Sequence, residues 1–489
     1  MDTFTDVRAL IVGMAREGTA LARFLVECGA RVTVTDLKPA EALADNVAAL
    51  ADLPVTFTLG GHPLELLNGM NLVFVSPGVP LDIPLLVEAR RRGLPLSSET
   101  RLFTRLCPAP VVGITGSSGK TTTTALTGEM FEVAGRQTWV GGNIGQPLIG
   151  RLDEIAPSDI VVMELSSFQL EFFAPWQEER RHNGAIGQRG NALFDPAGWS
   201  PTIAAVLNIT PNHLDRHPTM EAYVAAKAHI LAHQRPGDVA VLNLDNAVTR
   251  QMGKAANRKR RVLWFSLEQE VKEGAFLRGD ELVLRLAGRE GMVCRTGDLK
   301  LLGRHNVANT LAACALAGSA GTPFKALRQT ATTFGGVEHR LELVRERDGV
   351  RWYNDSIATT PERTVAALQA FDLPIVLLAG GRDKHLPWDE MATFTWRRVR
   401  HLILFGEAAG LIERALQAAR CKMQDAQQGH DGITHIHRAG TLEAAVQLAA
   451  QVAQPGDVVL LSPGGTSFDA YADFTARGKH FRQIVQALE

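Results

Sequence analysis

The 489-residue chain has little of several things that would narrow its role. It has five cysteines (Cys28, Cys107, Cys294, Cys314 and Cys421), scattered and never in a CxxC spacing. That excludes a disulfide framework and a thiolate zinc site. Basic and acidic residues number 51 and 52, so there is no excess charge to attract a polyanion, and nucleic acid is not an expected partner. No run of about 18 apolar residues occurs, and the start, MDTFTDVRALIVGM, lacks a basic leader region. These absences predict a cytoplasmic protein that does not engage a membrane. Any anion it binds must be held locally.

What is present is a folded composition, 45% hydrophobic and 21% charged, on a chain long enough for about three domains. Apolar strands alternate with helical patterns in three successive segments, which predicts α/β units with parallel sheets. RALIVGM, the helical GTALARFLVECGA and RVTVTDL make a Rossmann-like opening over residues 1–107. After RLCPAP, a central segment over 108–335 carries VVGIT, DIVVMELSSF, TIAAVLNIT and GDVAVLNLD, and an antiparallel pair is predicted around FLRGDELVLRL. The diglycine in TTFGGVEHR precedes a third segment over 336–489, with PIVLLAGG, HLILFG and DVVLLSPGG as strands. The stretch Ala174–Ser200 is polar, has no clear period and reads as an excursion from the core.

The most informative motif is VVGITGSSGKTTTTAL. Strand, glycine loop and helix follow in the order that phosphate binding requires. The backbone N–H groups of Gly116, Ser117, Ser118 and Gly119 can converge on an anion at a helix N-terminus. Lys120 would reach the phosphates, and Thr121 offers a hydroxyl to Mg²⁺, with Thr122 following in the same turn. VGMAREGTA is a weaker nucleotide signal. Gly13 and Gly18 bracket a strand-to-helix turn, and Asp36 ends the next strand, but Ala15 occupies the middle glycine of GxGxxG. A dinucleotide-dependent oxidoreductase fused to an ATP module is therefore a competing reading.

Glu164 follows an apolar strand in VVMELSSFQLE, where a carboxylate can hold metal. His213 and Asp215 in NITPNHLDRH follow another strand, as ligands or as capping residues. Lys227 shares a helical face with Met220, Tyr223, Val224, Ile230 and Leu231. It must then extend its amine to solvent or find an anionic partner. Asp355 in WYNDSIATTPE, Lys384 in GGRDKHL and Ser467 in LSPGGTSF are further polar groups at strand ends.

In this order, together with GGNIG, LGRHNVAN, GVEHRLE and SFDAYADFTARGKHF, the motifs resemble the Mur ligases over nearly the whole chain. These are ATP-dependent amino-acid-adding enzymes of peptidoglycan synthesis. The residues around NDS favour the D-glutamate-adding branch. TGSSGKT matches the short form of that family's loop.

The resemblance implies three domains: a Rossmann-like N-terminal domain, a central P-loop ATPase-like domain and a C-terminal Rossmann-like α/β domain. It implies a monomer that phosphorylates the carboxylate of UDP-N-acetylmuramoyl-L-alanine with ATP and Mg²⁺, then admits glutamate. By the same resemblance, Thr121, Glu164, His213 and a carbamoylated Lys227 hold metal, and Asn306, Arg340 and Asp355 contact ATP. Arg16, Glu17, Asp36, Leu37, Ser76, Gly78 and Asn143 face the UDP-sugar, and Thr359, Lys384, Ser467 and Phe474 the amino acid. Asn212 departs from a common aspartate and Ile357 from the lysine of many relatives; the charge that Ile357 removes leaves open a Mur-type ligase adding another amino acid or L-glutamate.

Overall fold

The computed structural model describes residues 4–175, 197–210, 217, 219–254, 260–301, 303–384, 386–425 and 435–488. The chain divides into two compact units, Met1–Leu299 with His305–Thr332, and Lys300–Arg304 with Thr333–Glu489.

The first unit holds two sheets. In the first sheet, β1 (Arg8–Val12), β2 (Arg31–Asp36), β3 (Thr56–Leu59), β4 (Leu72–Val75) and β5 (Leu96–Ser97) lie in the order β3-β2-β1-β4-β5, all parallel. Helix α1 (Arg16–Glu27) returns the chain from β1 to β2, and α2 (Ala44–Ala48), α3 (Pro84–Arg91) and α4 (Glu99–Leu106) follow in sequence. The order reverses at β1, with β2 on one side and β4 on the other. Open α/β sheets bind their ligands beyond the carboxyl ends of strands at such a switch point.

The second sheet has nine strands: β6 (Val111–Thr115), β7 (Thr138–Gly142), β8 (Ile160–Glu164), β9 (Ile203–Val206), β10 (Val239–Asn243), β11 (Arg261–Ser266), β12 (Gly274–Arg278), β13 (Glu281–Leu286) and β14 (Arg289–Arg295). Their order is β14-β13-β12-β11-β10-β9-β6-β8-β7. The predicted antiparallel pair is β12–β13, and β14 extends it. β6 is buried along its whole length, which accounts for its unbroken apolar sequence VVGIT. Its register pairs Ile114 with Glu164 and Thr115 with Val206, so the residues after β6, β8 and β9 emerge side by side. The helices are α5 (Lys120–Val133), the short α6 (Ser167–Leu170), α7 (Met220–Ala232), α8 (Ala247–Lys254), α9 (Arg304–Ser319) and α10 (Phe324–Thr333).

The second unit carries six strands, β15 (Glu342–Arg347), β16 (Val350–Asn354), β17 (Ile375–Gly380), β18 (Val399–Phe405), β19 (His435–Gly440) and β20 (Val458–Gly464), in the order β15-β16-β20-β17-β18-β19. Only the β15–β16 pair is antiparallel. Helices α11 (Pro361–Leu368), α12 (Asp389–Arg398), α13 (Ala409–Asp425), α14 (Leu442–Val452) and α15 (Phe474–Gln486) complete it. Separate apolar clusters, one containing Leu377 and Leu460 and one Val376 and Val459, reflect alternate residues of β17 and β20 packing to opposite faces of the sheet. Among the described residues no helix is long and apolar enough to cross a membrane.

Candidate active site

The loop between β6 and α5 is held by the end of β9. The Ser117 N–H donates to the Asn208 carbonyl at 2.9 Å, and the Ser118 N–H to Asn208 Oδ1 at 2.9 Å. Ser117 Oγ donates to the Thr210 carbonyl at 3.0 Å and lies 3.2 Å from Tyr223 Oη on α7. Gly119 has φ +79°, and a Cβ there would stand 2.3 Å from Asn309 Oδ1. Glycine is therefore required both for the left-handed backbone and for the approach of α9. Asn309 donates in turn to Asn306 Oδ1 at 3.0 Å, which brings Asn306 to the loop through one neighbour.

Two amines converge on this loop. Lys120 Nζ donates to the carbonyls of Gly116 at 3.0 Å and Ser117 at 3.3 Å. Lys227 Nζ donates to the same Gly116 carbonyl at 3.1 Å and to Thr115 Oγ1 at 3.2 Å, and lies 4.8 Å from the centre of the Tyr223 ring. Lys227 is only 2% exposed, so it does not extend to solvent. Burial first, and then the charge of Lys120, push its amine down to about 7. Two amines sharing one carbonyl of a glycine loop suit a bound anion, and burial favours the neutral form of the Lys227 amine.

Beside them Thr121 Oγ1 donates to Glu164 Oε2 at 2.7 Å, and Asn143 Nδ2 donates to Glu164 Oε1 at 2.8 Å. The Asn143 N–H also donates to the Glu164 carbonyl at 2.8 Å. Lys120, Thr121, Glu164, Lys227 and Asn143 are thus brought together, while His213, Asp215 and Asn212 lie outside the described residues. The hydroxyl and carboxylate are hard oxygen donors of the kind that suit Mg²⁺. No group of three or more imidazole, thiol or carboxylate residues able to hold a metal is found among the described residues.

The turn after β1 is built differently. A Cβ on Gly18 would lie 2.1 Å from the Gly13 carbonyl, so the start of α1 closes tightly on the strand. Asp36 Oδ2 accepts the Met14 N–H at 2.7 Å, Oδ1 accepts the Lys38 N–H at 2.9 Å, and Ser76 Oγ donates to the Gly13 carbonyl at 2.8 Å. Asp36 and Ser76 therefore shape the turn, whereas Arg16, Leu37 and Gly78 stand exposed around it. Glu17 points inward instead and is only 8% exposed. Its Oε1 accepts from Gln169 Nε2 at 3.1 Å. Burial raises Glu17 and nearby Glu99 well above the ordinary carboxylate range, and the charge of Glu17 further opposes ionisation of Glu99.

In the second unit, Asp355 follows β16. Ser462 Oγ donates to its Oδ2 at 2.9 Å and the Leu341 N–H to its Oδ1 at 3.2 Å; burial nonetheless pushes it up to about 7. Arg340 faces it electrostatically. Lys384 Nζ lies 3.5 Å from Thr359 Oγ1, so two residues assigned to the amino acid are neighbours. Ser467 is buried, and Phe474 opens α15, where its carbonyl accepts from Ser356 Oγ at 2.8 Å.

Sequence reasoning missed Arg477, fully buried on α15. It donates to Ser356 Oγ at 3.0 Å, the Ser356 carbonyl at 2.9 Å and the Thr466 carbonyl at 3.0 Å, locking the NDS turn to the loop after β20. An arginine one turn inside an otherwise amphipathic helix was the available signal. Gln169, Asn208 and Asn309 were also missed, because each acts across a long sequence separation.

Comparison with known proteins places the chain in a family. The chain matches the Mur ligase MurD-like N-terminal domain at residues 7–98, the Mur ligase middle domain at 114–179 and 189–317, and the Mur ligase glutamate ligase domain at 339–465. It is 44% identical over 483 residues to UDP-N-acetylmuramoylalanine--D-glutamate ligase of Symbiobacterium thermophilum, covering 98% of both chains. It is 40% identical over 486 residues to the enzyme of that name from Pelotomaculum thermopropionicum, covering 99% of each. Its fold resembles MurF from Acinetobacter baumannii (TM-score 0.56, 17% identity, 98% of this chain and 93% of that one). It also resembles MurC from Thermotoga maritima (TM-score 0.55, 18% identity, 98% and 99%). With full-length relatives above a third identity and three matching domain families in order, the chain belongs to the Mur ligase family.

Proposed function

We propose that this protein is an ATP-dependent, ADP-forming ligase that adds D-glutamate to UDP-N-acetylmuramoyl-L-alanine in peptidoglycan precursor synthesis. The observation that carries the reading is full-length identity to enzymes bearing that name, joined to a loop where Lys120 and Lys227 share one carbonyl beside the Thr121–Glu164 pair. The same relatives favour the ligase over the oxidoreductase alternative.

In this reading residues 1–107 receive the nucleotide-sugar, 108–335 the ATP and 336–489 the amino acid. The Gly116–Gly119 loop, the helix end after it and Lys120 hold the phosphates in line with the acceptor carboxylate, the Ser117 and Ser118 N–H groups being already given to Asn208. Thr121 and Glu164, with His213 and Lys227, would hold Mg²⁺, which supplies charge neutralisation on the phosphoryl oxygens. Carbamoylation of the Lys227 amine would convert a buried cation into a ligand. Asn306, Arg340 and Asp355 serve ATP; Thr359, Lys384, Ser467 and Phe474 orient glutamate. A carboxylate oxygen leaves poorly, and phosphorylation removes that obstacle before the amine attacks. We assign the protein to the cytoplasm and read it as a monomer.

A coupled ADP-release assay tests the proposal. Turnover is expected only with UDP-N-acetylmuramoyl-L-alanine and D-glutamate together. Equal turnover with L-glutamate, or turnover only with another amino acid, would overturn the assigned specificity.

A further inference from the structure

Phosphoryl transfer leaves the buried acids Glu17 and Glu99 without a role. Helix α1 begins at Arg16, directly beyond β1 at the switch point of the first sheet, and a helix N-terminus there favours an anion. Yet its second residue is an acid more than nine-tenths buried, whose Oε2 has no hydrogen-bond partner among the described residues. Its Oε1 is taken by Gln169 Nε2, which also donates to Thr100 Oγ1 at 3.0 Å. Thr100 Oγ1 in turn donates to Glu99 Oε2 at 3.2 Å.

The orientation of Gln169 is fixed by its own helix. Its Oε1 accepts the Ser166 N–H at 3.0 Å and lies 3.0 Å from Ser166 Oγ, so only its nitrogen is left for Glu17 and Thr100. Gln169 lies five residues after Glu164, so this network ties the turn after β1 to the segment that carries the phosphate site. The charged groups facing Glu17 are Arg16 on its own helix and Glu99 on α4. Asp36 is engaged with the Met14 and Lys38 N–H groups, and Arg101 on α4 donates to the Ala197 carbonyl at 2.7 Å.

We propose that Glu17 is a positioning residue for the nucleotide-sugar: neutral, it holds the start of α1 against Gln169 and leaves that helix end to the diphosphate, whereas ionised it competes with the diphosphate for the same positive end. This rests on the reading that the first domain receives the UDP-sugar. Binding then takes up a proton wherever free Glu17 is ionised. Affinity falls by up to about tenfold per pH unit above that point, since a ligand that selects one protonation state follows that state's population.

Calorimetric titration of the wild-type protein with UDP-N-acetylmuramoyl-L-alanine, in two buffers of different ionisation enthalpy between about pH 6 and about pH 9, tests this directly. The expected result is proton uptake that grows with pH, accompanied by a rising KM for the nucleotide-sugar but not for ATP. Glu17→Gln is expected to abolish the uptake and flatten the KM profile. Binding with no proton uptake and a flat profile in the wild type would overturn the inference while leaving the ligase reading intact. Absence of nucleotide-sugar binding at every pH would overturn the ligase reading.

Discussion

The turn after β1 and the loop after β6 share one plan, a buried parallel strand, a glycine turn and a helix N-terminus, but they are lined by opposite kinds of titratable group. The loop after β6 gathers Lys120 and Lys227 on one carbonyl, whereas at the turn after β1 Asp36 accepts two N–H groups and Glu17, backed by Glu99, stands beside the exposed Arg16. A group that is transferred develops charge that fixed cations stabilise. One that is merely gripped needs only backbone amides and the helix end. Under the proposed function, the difference separates a reacting phosphate from an anchoring one.

The comparison breaks first at Lys120. Lys120→Ala is expected to lower kcat at least about a hundredfold, as loss of a preorganised charge at a transition state does, while calorimetric UDP-sugar binding persists. Next, Glu164→Gln is expected to weaken Mg²⁺ dependence about ten- to a hundredfold, read from activity against Mg²⁺ concentration. Outside both turns, Lys384→Ala is expected to raise the KM for D-glutamate about tenfold, the worth of one charge-assisted hydrogen bond, with the KM for ATP unmoved.

The smallest effect is on stability. A carboxyl raised by burial binds its proton more tightly folded than unfolded, so stability is lost as pH rises from the ordinary carboxylate range through the folded-state pKa. Glu99→Gln is expected to melt higher than the wild type at alkaline pH, by about 2 °C or more for each kcal/mol recovered. The gap should close toward acid, as scanning calorimetry at several pH values would show. A gap independent of pH would remove the contrast in protonation between the two turns.

Much of this was legible in the residues. The strands of the parallel sheets read as apolar runs because both faces are covered, and Lys227 betrayed itself by standing on the buried face of α7. Glu164 was found from its place at a strand end. The bridge from Glu17 through Gln169 and Thr100 to Glu99 was not legible, because it joins segments up to 152 residues apart and no local period records it. Arg477 escaped for the same reason: its partners lie on two separate turns, one of them 121 residues away. Spacing reveals what one element presents; it does not reveal which elements meet.

The most direct test of the central claim is isotopic. With ¹⁸O in the alanyl carboxylate of UDP-N-acetylmuramoyl-L-alanine, attack on the γ-phosphorus followed by displacement by D-glutamate must deliver one ¹⁸O to the released phosphate, and mass spectrometry of that phosphate reads it. The account predicts one labelled oxygen per ADP formed. Unlabelled phosphate, or label found in AMP, would contradict it.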